Sequence, residues 1–146
     1  MFLRQDFQRG FVKFCGFQAG KIGKGFFEST LIITDNHKTQ DNFIHAGVMA
    51  TMSDHTAGYA AYTVAPAGKR ILTIEFKINF MRPAFGESLL CRSEVISQGA
   101  RIIVGRSTVF DIRERKEKMV SMSTITLMVI DGEQFNAEGA RARVEQ

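Results

Sequence analysis

Residues 45–64 read HAGVMATMSDHTAGYAAYTV, and their reading decides the fold. Ala and Met are frequent here and no Pro occurs before Pro66, so the stretch predicts one long helix. The small residues Gly47, Ala50, Ala57, Gly58 and Ala61 recur three, four and seven positions apart around Asp54. On a helix that spacing makes a narrow stripe along which another backbone approaches closely. Met49, Met52, Tyr59 and Tyr62 take the wider faces and are expected to pack into a sheet. A helix apolar on several sides has to be wrapped, since a single flat layer covers one side only.

Beyond Pro66-Ala67-Gly68 the period becomes two. Residues 70–82 alternate, with Leu72, Ile74, Phe76, Ile78 and Phe80 on one face and Thr73, Glu75, Lys77 and Asn79 on the other. Pro83 ends the run. Three further strands are predicted at 88–97, 101–112 and 118–130, joined as consecutive antiparallel hairpins, the last through the charged loop 113–117. Upstream, the aromatic and β-branched run 26–34 predicts a first strand, and residues 2–17 predict a short N-terminal helix. The polar tail 131–146 is expected to fray. The order helix, strand, long helix, four strands predicts an α+β fold, a long central helix wrapped by a curved antiparallel sheet. A second chain is expected to cover what the sheet leaves open.

The 146 residues are 45% hydrophobic and 23% charged, which suits one domain over 1–146 with its core at about 25–130 and excludes disorder. Net charge is +4, with Lys and Arg interleaved among acids and no aromatic-basic recognition motif. No nucleic-acid partner is therefore expected. Cys15 and Cys91 fit neither a disulfide framework nor a metal spacing, and read as reduced thiols of a cytoplasmic protein. Arg4 and Asp6 precede any apolar run, so no secretory signal is expected. The stretch 42–68 lacks Lys, Arg and Glu but carries Asp54, His45 and His55, so no membrane partner is expected either.

Asp54 is the residue that calls for explanation. Asp is disfavoured inside a helix, and among Ala and Gly on a close-packed stripe its carboxylate loses hydration, which implies chemical work or a partner. The alternative makes Ser53 or Asp54 the N-cap of a shorter helix, worth about 1 kcal/mol. At His45-Ala46-Gly47, free backbone N–H groups and the positive end of the helix dipole suit an oxyanion. An ordinary junction of loop and helix would look the same.

Taken with Ala57-Gly58, residues 73–84 (TIEFKINFMRPA) and Gly99-Ala100-Arg101, the run from His45 to Asp54 resembles the hotdog-fold acyl-CoA thioesterases of the PaaI type. The resemblance covers about residues 25–130. It implies a hotdog fold, a homodimer with shared active sites that pairs into a homotetramer, and hydrolysis of an acyl-CoA thioester. Position by position, Asp54 is similar to the catalytic carboxylate, which activates water or attacks directly. Ala46 is similar to the oxyanion donor, with Gly47 beside it, and Thr73 to the hydroxyl residue that helps place the water. Ala46 stands where the family's H-G-G-x6-D motif has its first glycine, keeping the N–H while narrowing the approach. Thr39 stands where relatives carry Asn or Gln, so Gln40, one place along, is the candidate to polarise the carbonyl.

Thioester hydrolysis has a good leaving group, so a carboxylate and a preorganised oxyanion site suffice without Ser, Cys or metal. No cofactor is expected, coenzyme A being part of the substrate, and no metal-ligand spacing occurs. His45 is expected to orient the loop, and His37 and His55 to lie on the surface. Cys91 reads as a packed thiol. Arg82 and Arg101 are the candidate contacts to the coenzyme A phosphates. Phe43, Met49, Tyr59 and Phe85 suggest an apolar acyl pocket. The competing readings are a hotdog hydratase, whose His-acid motif is absent, and a non-catalytic acyl-CoA-binding module.

Overall fold

The computed structural model describes residues 2–135. Helices α1 (Phe2–Phe7) and α2 (Gly10–Cys15) precede strands β1 (Gln18–Gly23) and β2 (Phe26–Ile32). The central helix α3 (Ala46–Tyr62) follows, and then β3 (Lys69–Phe80), β4 (Ser88–Gln98), β5 (Ile102–Arg113) and β6 (Lys116–Asp131). The six strands form one antiparallel sheet in the order β1-β2-β4-β5-β6-β3, wrapped around α3. This is the α+β arrangement of a long helix wrapped by an antiparallel sheet that residues 45–64 and the alternating runs after them predict, and the hotdog fold that the resemblance implies.

Small side chains let helix and sheet meet. Ala57 and Ala61 are fully buried over Ile103, Ile125 and Leu127. A Cβ at Gly105 would stand 3.4 Å from that of Ala57, so β5 offers bare backbone where α3 crosses it. Hydroxyls fill the same layer. Ser93 donates to Ser107 (2.6 Å), whose own O–H donates to the Ser53 carbonyl (2.7 Å). Across the rest of the core, Met49, Met52 and Tyr59 pack with Phe7, Phe17, Phe27 and Leu31.

The structure corrects the expected elements in several places. The N-terminal helix over 2–17 is two helices, broken where Arg9 adopts extended backbone (φ −121°, ψ 162°). Strand β1 was not expected, because QAGKIG holds a single β-branched residue; it gains its order from pairing with β2 at the sheet edge. The strands after α3 are not all consecutive hairpins. β3 pairs with β6, and β4 pairs with β2 and β5. The charged loop 113–117 shrinks to Glu114 and Arg115 at φ +48° and +65°, a two-residue turn whose twist matches its strands. Of the tail, Gly132–Phe135 form a 3-10 turn, and residues 136–146 lie outside the described residues.

The segment leading from β3 to β4 is held by a buried carboxylate. Asp111 on β5 accepts the N–H groups of Phe85 (3.1 Å) and Gly86 (2.8 Å). Gly86 has no room for a side chain, since a Cβ there would collide with the Ile112 carbonyl and the Asp111 carboxylate. Gly86→Ala should therefore cost about 2 kcal/mol, a Tm loss of roughly 6 °C in a thermal melt. An unchanged Tm would show that this segment yields freely.

Candidate active site

α3 begins at its cap. His45 is the N-cap, and its Nδ1 accepts the Gly47 N–H at 2.8 Å. The His45 carbonyl accepts the Val48 N–H at 3.0 Å. That leaves the Ala46 N–H without an acceptor among the described residues, at the positive end of a helix of 17 residues. The several free amides expected here thus narrow to one, and Gly47 has a different part. A Cβ on it would lie 3.0 Å from His45 Nδ1, so glycine lets the imidazole cap the turn. His45 caps this junction through that bond.

Two turns along, Asp54 sits half-buried inside the continuous helix, so neither it nor Ser53 is a cap. Thr73 Oγ1 donates to Asp54 Oδ1 at 2.6 Å. A bulge in β3 makes this contact. Thr73 lies opposite Leu127 and Glu75 opposite Thr126, so Ile74 is an extra residue. Residues paired across strands share a face. Before the bulge Ile71 and Thr73 face the helix; after it Phe76, Ile78 and Phe80 do, opposite buried Ile125, Ser123 and Ser121. The single alternation expected for 70–82 is therefore broken, and Leu72 belongs to the other face with its partner Met128.

Asp54 opens into a cavity of about 600 Å³. Gly47, Thr51 and Asp54 line it from α3, Phe76 from β3, Phe11 from α2 and Arg9 from the break before it. The predicted stripe of small residues is therefore two surfaces. Ala57 and Ala61 face the sheet, whereas Gly47, Ala50 and Asp54 face the cavity. Gly58 has open space where a side chain would be. The part played by α2 was not legible in the sequence, because Phe11 falls at helical spacing within the one helix expected over 2–17. With the helix broken, Phe11 is 64% exposed beside Asp54.

Other candidates lie elsewhere. Gln40 is exposed and donates to Asp41 Oδ2 at 3.1 Å, outside the Asp54 cavity. Met49 and Tyr59, read as acyl-pocket residues, are core side chains, and Tyr59 donates to Asp6 at 2.7 Å. Arg101 precedes β5 and Arg82 lies beside Arg113 at that strand's far end. About 35 Å of strand separates them, so within one chain they do not share a ligand's phosphates. His37 is no free surface group, its Nε2 bonding the Cys15 carbonyl at 2.7 Å. Cys91 is fully buried and its thiol is pushed up to about 11 by burial, so it is an inert packed thiol at neutral pH. Among the described residues no three His, Cys, Asp or Glu side chains cluster as a metal site, and no helix is long and apolar enough to cross a membrane.

Comparison with known proteins converges on one family. Residues 41–118, which hold Ala46, Asp54 and Thr73, match the family model described as the thioesterase superfamily. A solved thioesterase family protein from Silicibacter pomeroyi is 32% identical with a TM-score of 0.85, over 89% of this chain and 96% of that one. The E. coli PaaI protein from the phenylacetic acid degradation operon shares the fold at 21% identity and a TM-score of 0.73, over 83% and 84% of the two chains. A thioesterase protein from Streptococcus pneumoniae, solved with coenzyme A, shares it at 18% identity and 0.71, over 80% and 87%.

His55, beside Asp54, corrects another expectation, being half-buried against the rings of Phe7 and Tyr59. Its Nε2–H donates to the Phe7 carbonyl at 3.0 Å. Burial lowers its pKa, outweighing the Phe7 carbonyl and the charges of Asp54 and Asp6. The unfolded chain then binds a proton more readily than the folded one. The associated stability is complete above about pH 6.5 and is lost as pH falls from there through the lowered folded value. Thermal melts at about pH 7.5 and about pH 5.5 should show a larger Tm drop in wild type than in His55→Gln. Equal drops would show that His55 does not couple folding to protons.

Proposed function

The chain belongs to the thioesterase superfamily, a hydrolase of the hotdog fold, and from that premise we propose that it hydrolyses an acyl-CoA thioester to a carboxylic acid and free coenzyme A. The observation that carries this reading is Asp54 in its cavity, with Oδ1 held by Thr73. That hydrogen bond fixes the carboxylate's rotamer and leaves Oδ2 free. Oδ2 takes a proton from water as the water oxygen adds to the thioester carbonyl. The negative charge that develops on the carbonyl oxygen is received by the Ala46 N–H and the helix dipole behind it. The C–S bond then breaks, and the sulfur leaves with the proton that Asp54 holds. Neither step calls for a metal or a resident cofactor.

One chain does not supply both groups to one substrate. Ala46 and Asp54 are eight residues apart on a continuous helix, about 12 Å along its axis. A carbonyl reached by an N–H lies about 3 Å from it, and an Asp side chain does not span the remainder. The second amide comes from a second copy. β3 is an edge strand, and Ile74, Phe76, Phe80 and Met81 are 41–51% exposed on or beside it. An unpaired apolar edge next to Asp54 favours isologous pairing of two chains, which brings Ala46 of the partner subunit toward this Asp54.

Asp54→Asn should lower turnover by about 100-fold or more while leaving Tm within a few degrees of wild type. The assay is thiol release from a panel running from acetyl- to palmitoyl- and phenylacetyl-CoA. Wild-type rates in the variant would remove Asp54 from the mechanism. Binding of CoA thioesters without turnover by the wild-type protein would instead make the chain a non-catalytic binding module.

A further inference from the structure

α2 brings Phe11 to the cavity at Asp54, and the helix is pinned at both ends. At the break before it, Asp6 holds two partners. Tyr59 of α3 donates to one carboxylate oxygen at 2.7 Å, and Arg9 donates to the other at 3.2 Å, so the residue at the break is tied to α3 through a single side chain. Burial first, and the hydrogen bond to Asp6 second, push the Tyr59 hydroxyl up, which keeps it a donor at neutral pH. The Phe7 ring is buried against Phe27, His55 and Tyr59, with centroids 4.6 to 5.1 Å away, and Gly10 then turns the chain at φ +54°. At the far end, His37 Nε2 bonds the Cys15 carbonyl at 2.7 Å. Val12 and Phe17 are buried, whereas Phe11 stands exposed. A helix of six residues has little stability of its own, so these contacts, and not its propensity, decide where Phe11 is held.

The acyl group of a thioester attacked at Asp54 starts from a carbonyl carbon beside that carboxylate and extends into the space the same cavity offers. Ala50, Phe76 and Phe11 give that space apolar walls. Ala50 and Phe76 belong to the helix and sheet of the core fold, whereas Phe11 comes from a segment laid across them. We propose that Phe11 is the stop that sets the longest acyl chain the Asp54 cavity admits, and that Tyr59, acting through Asp6, is a positioning residue that holds this stop in place. This rests on the acyl-CoA reading above and narrows its substrate class to acyl groups of limited length. A benzyl side chain on a pinned helix swings aside only if the contacts of Asp6 and Phe7 break. A methylene beyond the stop therefore meets a fixed wall, a misfit that discriminates by about tenfold or more. Phe14, the other exposed aromatic residue of α2, lies outside this cavity and takes no part.

The test compares wild type, Phe11→Ala and Tyr59→Phe on saturated acyl-CoA thioesters of stepwise increasing length, from acetyl to palmitoyl, with Tm and molar mass recorded for each protein. Wild type should show a steep fall in kcat/KM beyond one chain length. Phe11→Ala should move that limit to longer chains, raising kcat/KM for the first excluded acyl group, relative to the best accepted one, about tenfold. Tyr59→Phe removes one hydrogen bond at nearly constant volume and should raise the same ratio about threefold. No limit in wild type, or a limit that Phe11→Ala leaves in place, would overturn the stop. A limit that moves in Phe11→Ala but not in Tyr59→Phe, whatever the Tm of the latter, would overturn the positioning role. A drop in molar mass in Phe11→Ala with equal losses at every chain length would make Phe11 a contact between chains and refute the assignment. Affinities for the same panel, measured by calorimetry on Asp54→Asn and Asp54→Asn/Phe11→Ala, separate the stop from hydrolysis. A wild-type protein that hydrolyses no thioester, with affinities that show the limit and its shift, would overturn hydrolysis and support the stop.

Discussion

The hydrogen bond from Thr73 to Asp54 ties an edge strand to the central helix, and much of the fold serves to make it possible. α3 has to lie close enough to the sheet for a short threonine side chain to reach it. Ala57 over Gly105 and the hydroxyls of Ser93 and Ser107 permit that approach, because larger side chains on either surface would hold the layers apart. The bulge at Ile74 then turns Thr73 inward without turning Phe76 outward. An unbulged β3 would present either the hydroxyl or the apolar residues after it to the helix. The added residue resolves that conflict at the one place where the carboxylate needs a partner.

Much of this was legible in residues 45–64. Absence of Pro, abundance of Ala and Met, and the spacing of small residues fix a long helix in close contact with other backbone, and the period-two runs after it supply the sheet. Asp54 stood out because a carboxylate has no structural reason to interrupt such a helix. Other features were not legible, for identifiable reasons. The Ile74 bulge leaves no mark in a sequence that alternates from Leu72 to Phe80, since the extra residue is defined only by its partner on β6. Strand β1 has the composition of a loop and owes its conformation to β2. The break at Arg9 interrupts the one helix expected over 2–17 and leaves Phe11 exposed as a wall of the Asp54 cavity. Gly47 was read as a donor, but its amide is satisfied by His45, a two-residue side-chain contact that no periodicity reveals.

Electrostatics divides the molecule along α3. Its N-terminal end offers the Ala46 amide, while the Asp54 carboxylate lies two turns on. In the proposed reaction the thioester carbonyl is received at one helix end and attacked from a carboxylate that the same helix cannot bring there. The proposal of a site shared by two chains follows from helix geometry alone, since Asp54 and Ala46 are fixed eight residues apart in an unbroken helix.

Complementation between two inactive variants tests that claim most directly. Asp54→Asn removes the carboxylate, and Ala46→Pro removes the amide at a first-turn position whose N–H makes no internal bond and whose preceding residue, His45, already has the extended backbone that proline requires. Each variant alone should be nearly inactive. A hybrid dimer has one doubly damaged site and one intact site, so after random re-association of equal amounts about a quarter of wild-type activity should return. Confirmed subunit exchange with activity still at the level of the parent variants would show that each site is built within a single chain.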